Sequence, residues 1–170
     1  MKKTIALILI CLTSTVSDAY AKSPGEVEIG GFLREAQLQG LSGPSKKLSA
    51  YRGKPLIINV WASWCGPCRD EMGSLQRLAR SYEGKQFNVI GISTDDYREQ
   101  ALTFLRESNT TFTNYIDSNL LMENMLGAEH IPLTLLVDAR GKVLDKFYGA
   151  HEWDSLEALE VIKNAFHIKM

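Results

Sequence analysis

Residues 55–61 read PLIINVW, a nearly continuous apolar run with the length of a strand buried on both faces. The period then changes. Over residues 69–82 the apolar positions Met72, Leu75, Leu78, Ala79 and Tyr82 recur at spacings of three and four, the pattern of one helix face. Glu83-Gly84-Lys85 closes that helix. Residues 87–92 (FNVIGI) predict a second buried strand, and Ser93-Thr94-Asp95-Asp96 supplies capping residues for a helix to about Glu107. A short strand is expected over 112–116, and a short helix over 119–126, ended by Gly127. Residues 133–137 predict a third buried strand, which Asp138-Ala139-Arg140-Gly141 turns into a hairpin partner over 142–148. Asp154 is the expected cap of a last helix ending near Phe166.

Upstream of the first buried strand the pattern is looser. Residues 32–41 alternate partly (Leu33, Gln37, Leu38, Gln39), and Ser42-Gly43-Pro44-Ser45 is a turn signal. Residues 46–48 fit the returning strand of a hairpin, and Ser49-Ala50-Tyr51-Arg52-Gly53 a short turn or single helical turn. The order is strand–helix–strand–helix, an inserted strand–helix segment, then strand–strand–helix. Such an order implies an α/β fold with a mixed central sheet flanked by helices on both faces. No internal repeat, low-complexity tract or domain linker interrupts it.

Composition narrows the class. The 170 residues suit one domain with a real core, and 45% hydrophobic with 23% charged residues indicates neither disorder nor a multi-span membrane protein. The net charge of −1 comes from mixed signs without a basic stripe, so nucleic acid is not an expected partner. The first residues stand outside the domain pattern. Lys2 and Lys3 precede a short apolar stretch over 5–12, and Ala19-Tyr20-Ala21 is an A-x-A cleavage pattern. Residues 1–21 are therefore expected to be a signal peptide cleaved before Lys22, leaving 22–170 as one domain outside the cytoplasm. The alternative, an uncleaved tether, must contend with an apolar run well short of the ~20 residues that span a bilayer. Ile10 before Cys11 is too bulky for a lipobox.

Removing the leader changes the meaning of the cysteines. Of three, Cys11 leaves with it, and the mature chain holds Cys65 and Cys68 alone. A disulfide closing so small a loop constrains the unfolded chain little, so it is a poor staple and a good redox switch. Thiol–disulfide exchange needs one accessible thiolate to attack and a second thiol to release the mixed disulfide. Cys65-Gly66-Pro67-Cys68, after a strand and opening a helix, meets both needs. The first cysteine sits where the helix dipole and free N–H groups favour an anion, and the second lies a turn later on the same face. Cys65 is thus the expected nucleophile and Cys68 the resolving thiol. Gly66 permits the tight turn, and Pro67 suits a first helical turn that needs no amide hydrogen. A structural zinc site would need four ligands, and the chain has no second CxxC and no His-x-x-x-His; His130, His151 and His167 are scattered singly. No metal is expected.

The run Asn59-Val60-Trp61-Ala62-Ser63-Trp64-Cys65-Gly66-Pro67-Cys68-Arg69 resembles the active-site segment of the thioredoxin superfamily, and more narrowly the TlpA/ResA-like branch of exported thiol–disulfide oxidoreductases. The resemblance extends from about Phe32 to the last helix. It takes in the N-terminal β-hairpin, Gly53-Lys54-Pro55, the inserted segment and Ile131-Pro132. It implies a thioredoxin fold in which Pro132 is a cis-proline beside the CxxC pair. Trp64, Gly66, Pro67, Ile131 and Pro132 would then contact the substrate, with Trp61 and Trp64 flanking the redox pair. Glu71, three residues after Cys68, stands where ResA-like members carry a glutamate. It either accepts or relays the Cys68 proton, raises the thiol pKa values by its charge, or is a solvated surface residue. Two departures are visible. Thioredoxin's buried aspartate is Asn59 here, which cannot titrate, and Leu133 replaces a frequent threonine.

The resemblance implies reduction of exported protein disulfides, with no cofactor beyond the Cys65–Cys68 couple itself. Its expected partners are exported disulfide-bearing proteins, apocytochrome c among them, and a membrane thiol-reductant donor; the chain is expected to be monomeric. The rival is a disulfide oxidase or isomerase, against which the Gly-Pro dipeptide argues. A peroxidase would want Pro-x-x-x-Thr-x-x-Cys, which is absent. Copper delivery would want Cys-x-x-x-Cys with a positioned histidine, for which only His130 and His151 are at hand.

Overall fold

A computed structural model describes residues 25–169. The expected leader over 1–21, with Cys11 and the Ala19-Tyr20-Ala21 pattern, lies outside the described residues. The elements are β1 (Gln37–Gly40), β2 (Lys46–Lys47), a 3₁₀ turn (Leu48–Tyr51), β3 (Leu56–Trp61), α1 (Gly66–Tyr82), β4 (Asn88–Ser93), α2 (Arg98–Glu107), β5 (Thr113–Ile116), α3 (Leu121–Leu126), β6 (Leu133–Val137), β7 (Val143–Tyr148) and α4 (Leu156–Phe166). They form one mixed sheet in the order β2-β1-β5-β4-β3-β6-β7. β3, β4 and β5 run parallel, β6 returns antiparallel to β3, and hairpins finish both edges. This is the thioredoxin-like architecture, with the hairpin β1–β2 and the β5–α3 segment added. Among the described residues no helix is long and apolar enough to cross a membrane.

Strand parity decides which side of the sheet each residue serves. Along β3, Ile57 and Trp61 join a core with Met72, Leu75 and Leu78 of α1, Phe104 of α2 and Ile162 of α4. Leu56, Ile58 and Val60 join the opposite core, with Met122, Met125 and Leu126 of α3 and Val27 and Leu33 of the N-terminal segment. Asn59, between Ile57 and Trp61, therefore projects toward α1. By the same parity Thr134, level with Asn59 in the β3–β6 ladder, projects that way too. Gly91 of β4 must be glycine, because a Cβ there would overlap Asn114 and Trp61, whose Nε1 donates to Asn114 Oδ1 at 2.9 Å.

α1 begins at Gly66 with Cys65 as its N-cap, where the CGPC string is expected to open the helix. Two local expectations are corrected. The last helix is capped by Ser155, whose Oγ accepts from Ala158 N at 3.2 Å; Asp154 instead pairs with Arg77 at 2.5 Å. In Ser93-Thr94-Asp95-Asp96 no side chain caps α2, which starts at Arg98 behind Tyr97. Asp95 turns inward.

Helix α3 obtains its cap from a distance. Leu120 holds the N-cap position with a left-handed backbone and no side-chain bond. Asp117, at the end of β5, accepts from the N–H groups of Leu121, Met122 and Glu123 at 2.8–3.0 Å. Gly127 closes the helix at φ +76°, where a Cβ would also strike Glu26. Asp117→Ala should therefore cost about 1–2 kcal/mol in urea denaturation, the worth of a good cap. A loss below a few tenths would mean that α3 is held by its apolar face alone.

Candidate active site

β3 runs level with β4 and stops at Trp61, and the chain crosses to α1 through Ala62, Ser63 and Trp64. Cys65 then caps the helix with extended backbone, and its Sγ accepts the N–H of Cys68 at 3.2 Å. Gly66 and Pro67 form the exposed first turn, where proline's missing N–H costs nothing. Cys65 and Cys68 are joined by a disulfide with Cα atoms 5.3 Å apart. Cys65 keeps 5% of its surface exposed and Cys68 none. Trp64 stands out beside the pair at 70% exposure, whereas Trp61 is fully buried in the core.

The loop before β6 completes the site from the other side. The Ile131–Pro132 peptide is cis, and the Ile131 carbonyl oxygen lies 3.7 Å from Cys65 Sγ. Sequence positions 131 and 132 are thus brought against position 65, as the resemblance implied.

Glu71 is not a solvated surface residue. It lies on the face of α1 that packs on the sheet, 1% exposed. Asn59 Nδ2 donates to its Oε1 at 2.7 Å, while Trp153 Nε1 and His151 N donate to its Oε2 at 3.0 and 3.2 Å. None of these donors is charged. Burial pushes the carboxyl up from an ordinary 4.5 to about 7, and the bonds from Trp153, Asn59 and His151 offset only part of that effect. A carboxyl poised there exchanges its proton near neutrality. Asn59 also donates to Thr134 Oγ1 at 3.0 Å, and its Oδ1 has no hydrogen-bond partner among the described residues. Ser74, one helical turn after Glu71, accepts the Trp153 N–H at 3.0 Å. The segment before α4 is thereby stitched onto α1 beside the redox pair.

The sequence pattern of the AhpC/TSA family matches residues 29–146, more than two thirds of the chain. The chain belongs to the AhpC/TSA family. Its relatives narrow the type. It is 26% identical over 157 residues to the thiol-disulfide oxidoreductase ResA of Bacillus thuringiensis subsp. konkukian, covering 91% of each chain. It is 29% identical over 143 residues to the thiol:disulfide interchange protein DsbE of Vibrio cholerae, covering 81% of this chain and 76% of that one. A Chlorobium tepidum structure assigned as a thiol:disulfide interchange protein DsbE superposes with a TM-score of 0.75 at 28% identity, over 82% of this chain and 99% of that one. StoA of Bacillus subtilis, at 17% identity and a TM-score of 0.66 over 77% and 97%, shares the fold. With the Cys65–Cys68 disulfide, these make the AhpC/TSA chain a thiol–disulfide oxidoreductase of ResA/DsbE type.

Sequence reasoning missed three residues of this AhpC/TSA site. Trp153 reaches Glu71 from 82 positions away, with no local pattern to announce it. Thr134 reads as one more residue of an apolar strand until β6 is registered against β3. Asp95 sits in a string whose composition suits a helix cap equally well, and only the level ends of β3 and β4 turn it toward the redox loop.

The raised Glu71 carboxyl sets the sign of a pH effect. The folded protein holds this proton more tightly than the unfolded chain. Its stabilising contribution is therefore full below about 4.5 and is lost as pH rises through about 7. The loss amounts to roughly 3 kcal/mol at most. Glu71→Gln, whose Nε2 can donate to Asn59 Oδ1 once that amide turns over, should flatten this part of the stability–pH curve of the oxidised protein. Urea denaturation from pH 4 to 8 reads the difference. Parallel curves for the two proteins would sink the assignment.

Proposed function

We propose that the chain is a protein-disulfide reductase acting outside the cytoplasm. The observation that carries this reading is a solvent-edged Cys65–Cys68 couple at the start of α1, with a buried neutral-range carboxyl, Glu71, one turn further along the helix. In the dithiol form the Cys65 thiolate attacks one sulfur of a substrate disulfide. The other substrate sulfur leaves as a thiolate and takes up a proton. Cys68 then gives its proton to Glu71, and its thiolate attacks Cys65 Sγ. The mixed disulfide breaks, the second substrate thiolate departs, and the Cys65–Cys68 disulfide closes. Two electrons have moved from enzyme to substrate, and Glu71 returns its proton to the released thiolate or to water. Gly66 and Pro67 leave the approach to Cys65 open, Trp64 flanks it, and Ile131 and Pro132 hold the substrate backbone beside it.

Nothing but the chain's own dithiol carries the electrons, so each turnover must be reset by another thiol. Outside the cytoplasm that reductant comes from a membrane dithiol donor. Exported proteins bearing disulfides are the substrates, with apocytochrome c, whose thiols must be free before haem attachment, the leading candidate. The protein works as a monomer, and nucleic acid has no part in the reaction. What supports the reductive direction is the Gly-Pro pair between the cysteines, as in reducing thioredoxins, together with the names of the relatives for the chemistry itself.

Equilibration with dithiothreitol or glutathione buffers measures the potential of the couple. A value near or below roughly −250 mV supports the reductase, and one near about −120 mV would make the protein an oxidant instead. Roles within the pair are separated by trapping. Cys68→Ser should accumulate mixed disulfides through Cys65, and Cys65→Ser should accumulate none. Equal trapping by both would reverse the assignment.

A further inference from the structure

Ser63, two residues before Cys65, is held at every polar group it owns. Its N–H reaches Asp95 Oδ2 and Oδ1 at 3.0 and 3.2 Å, and its Oγ donates to Asp95 Oδ1 at 2.6 Å. Its carbonyl accepts from Arg69 Nη1 at 3.1 Å. Asp95 is itself fixed, since its Oδ2 accepts from Ser93 Oγ at 2.7 Å and its own N–H donates back to that Oγ at 3.1 Å. The arrangement follows from sheet register. Trp61 and Ser93 pair at the ends of two parallel strands, and Thr94 N adds one more bond, to Trp61 O at 2.9 Å. The residues two positions past that pair, Ser63 and Asp95, then meet across the same gap.

Two properties set Asp95 apart from an ordinary loop anchor. The side chain is fully buried, and among the described residues its donors are the neutral groups of Ser63 and Ser93. A carboxylate without a cation, in a medium that screens poorly, acts over several ångströms. Ser63 stands two positions before Cys65, about 7 Å of extended chain at most. Other ionisable side chains on the segments that meet at the redox pair are Arg69, which also faces Glu107 of α2 at 3.8 Å, Glu71 further along α1, and His130 ahead of the Ile131–Pro132 loop.

We infer that Asp95 is a positioning residue for the redox loop, and that its buried charge opposes the Cys65 thiolate. The first action fixes where Cys65 stands on the α1 N-terminus. The second works against that helix end, which by itself favours the anion. A couple whose thiolate is disfavoured leans toward the disulfide and so donates electrons more readily, since stabilised thiolates make strong oxidants. This rests on the reading of Cys65 as the attacking thiol.

The test is the thiol pKa of Cys65 in the reduced full-length protein, followed by pH-dependent alkylation with iodoacetamide and mass-spectrometric assignment of the labelled cysteine. Asp95→Asn keeps the shape and removes the charge, and should lower the Cys65 pKa by about one unit. Measured above that pKa, the equilibrium should shift about tenfold toward the dithiol, about 30 mV. Ser63→Ala loses one bond to a charge that stays, and should move the pKa by a few tenths at most. Asp95→Ser, with a hydroxyl and room for water, carries the same expectation as Asn if the Asn variant does not accumulate. An unchanged or raised Cys65 pKa in a folded Asp95 variant overturns the inference, as does an equal shift in Ser63→Ala, because a purely structural anchor would give either. If Cys68 alkylates first in the unmodified protein, it is the assignment of the attacking thiol that falls, before any Asp95 variant is made.

Discussion

The packing of α1 against the sheet buries one carboxyl, Glu71, on neutral donors alone, with no positive charge brought to meet it. An ion pair at Glu71 would hold its proton state fixed over the whole physiological range. Three neutral donors from three parts of the chain do something different: they satisfy the oxygens geometrically and leave burial to dominate the electrostatics. The same three bonds position the helix, because Asn59 ties Glu71 to the middle of the sheet and Trp153 ties it to the segment before α4. Proton chemistry and tertiary packing are here one set of contacts. A substitution that alters one alters the other.

The sheet provides the second half of the arrangement. β3, β4 and β5 run parallel and level, so chain exits cluster at one end, where the redox pair, the Asp95 side chain and the Asp117 cap all lie. β6 runs the other way, which delivers the start of that strand, with Ile131 and Pro132, to the same end. A mixed sheet is thus what allows a strand beginning and a strand ending to confront one another across Cys65. Around this junction the two cores remain apolar and separate, one under α1, α2 and α4, the other under α3 and the N-terminal segment.

Much of this was legible in the chain itself, for reasons that differ by element. Buried strands such as PLIINVW announce themselves because both faces are apolar, and α1 because its stripe keeps helical period over four turns. The CGPC string places the couple without help from the fold. What the string could not tell was whether Glu71 faced water, since a position three residues from Cys68 lies near the boundary of the buried stripe. The structure resolves that through Asn59, whose side is fixed by strand parity, and Trp153, which no local pattern connects to it. The caps failed for a related reason. Ser, Thr and Asp serve equally as helix caps and as loop anchors, and Asp95 and Asp154 each found a partner away from the helix start that follows them.

The pairing of Asn59 with Thr134 sets a limit on how this protein can vary. Thr134 is the second residue of β6 and lies two residues beyond Pro132, so the hydrogen bond to Asn59 and the loop against Cys65 are measured off one ruler. With the far end of β6 held in register, adding or deleting a single residue between positions 134 and 136 would turn Thr134 to the opposite core and slide the proline loop along the disulfide at once. Length changes in this lineage should therefore collect in the β1–β2 turn and the β5–α3 segment. Anyone grafting this redox centre onto another scaffold would have to carry β3 and β6 across as a single registered block.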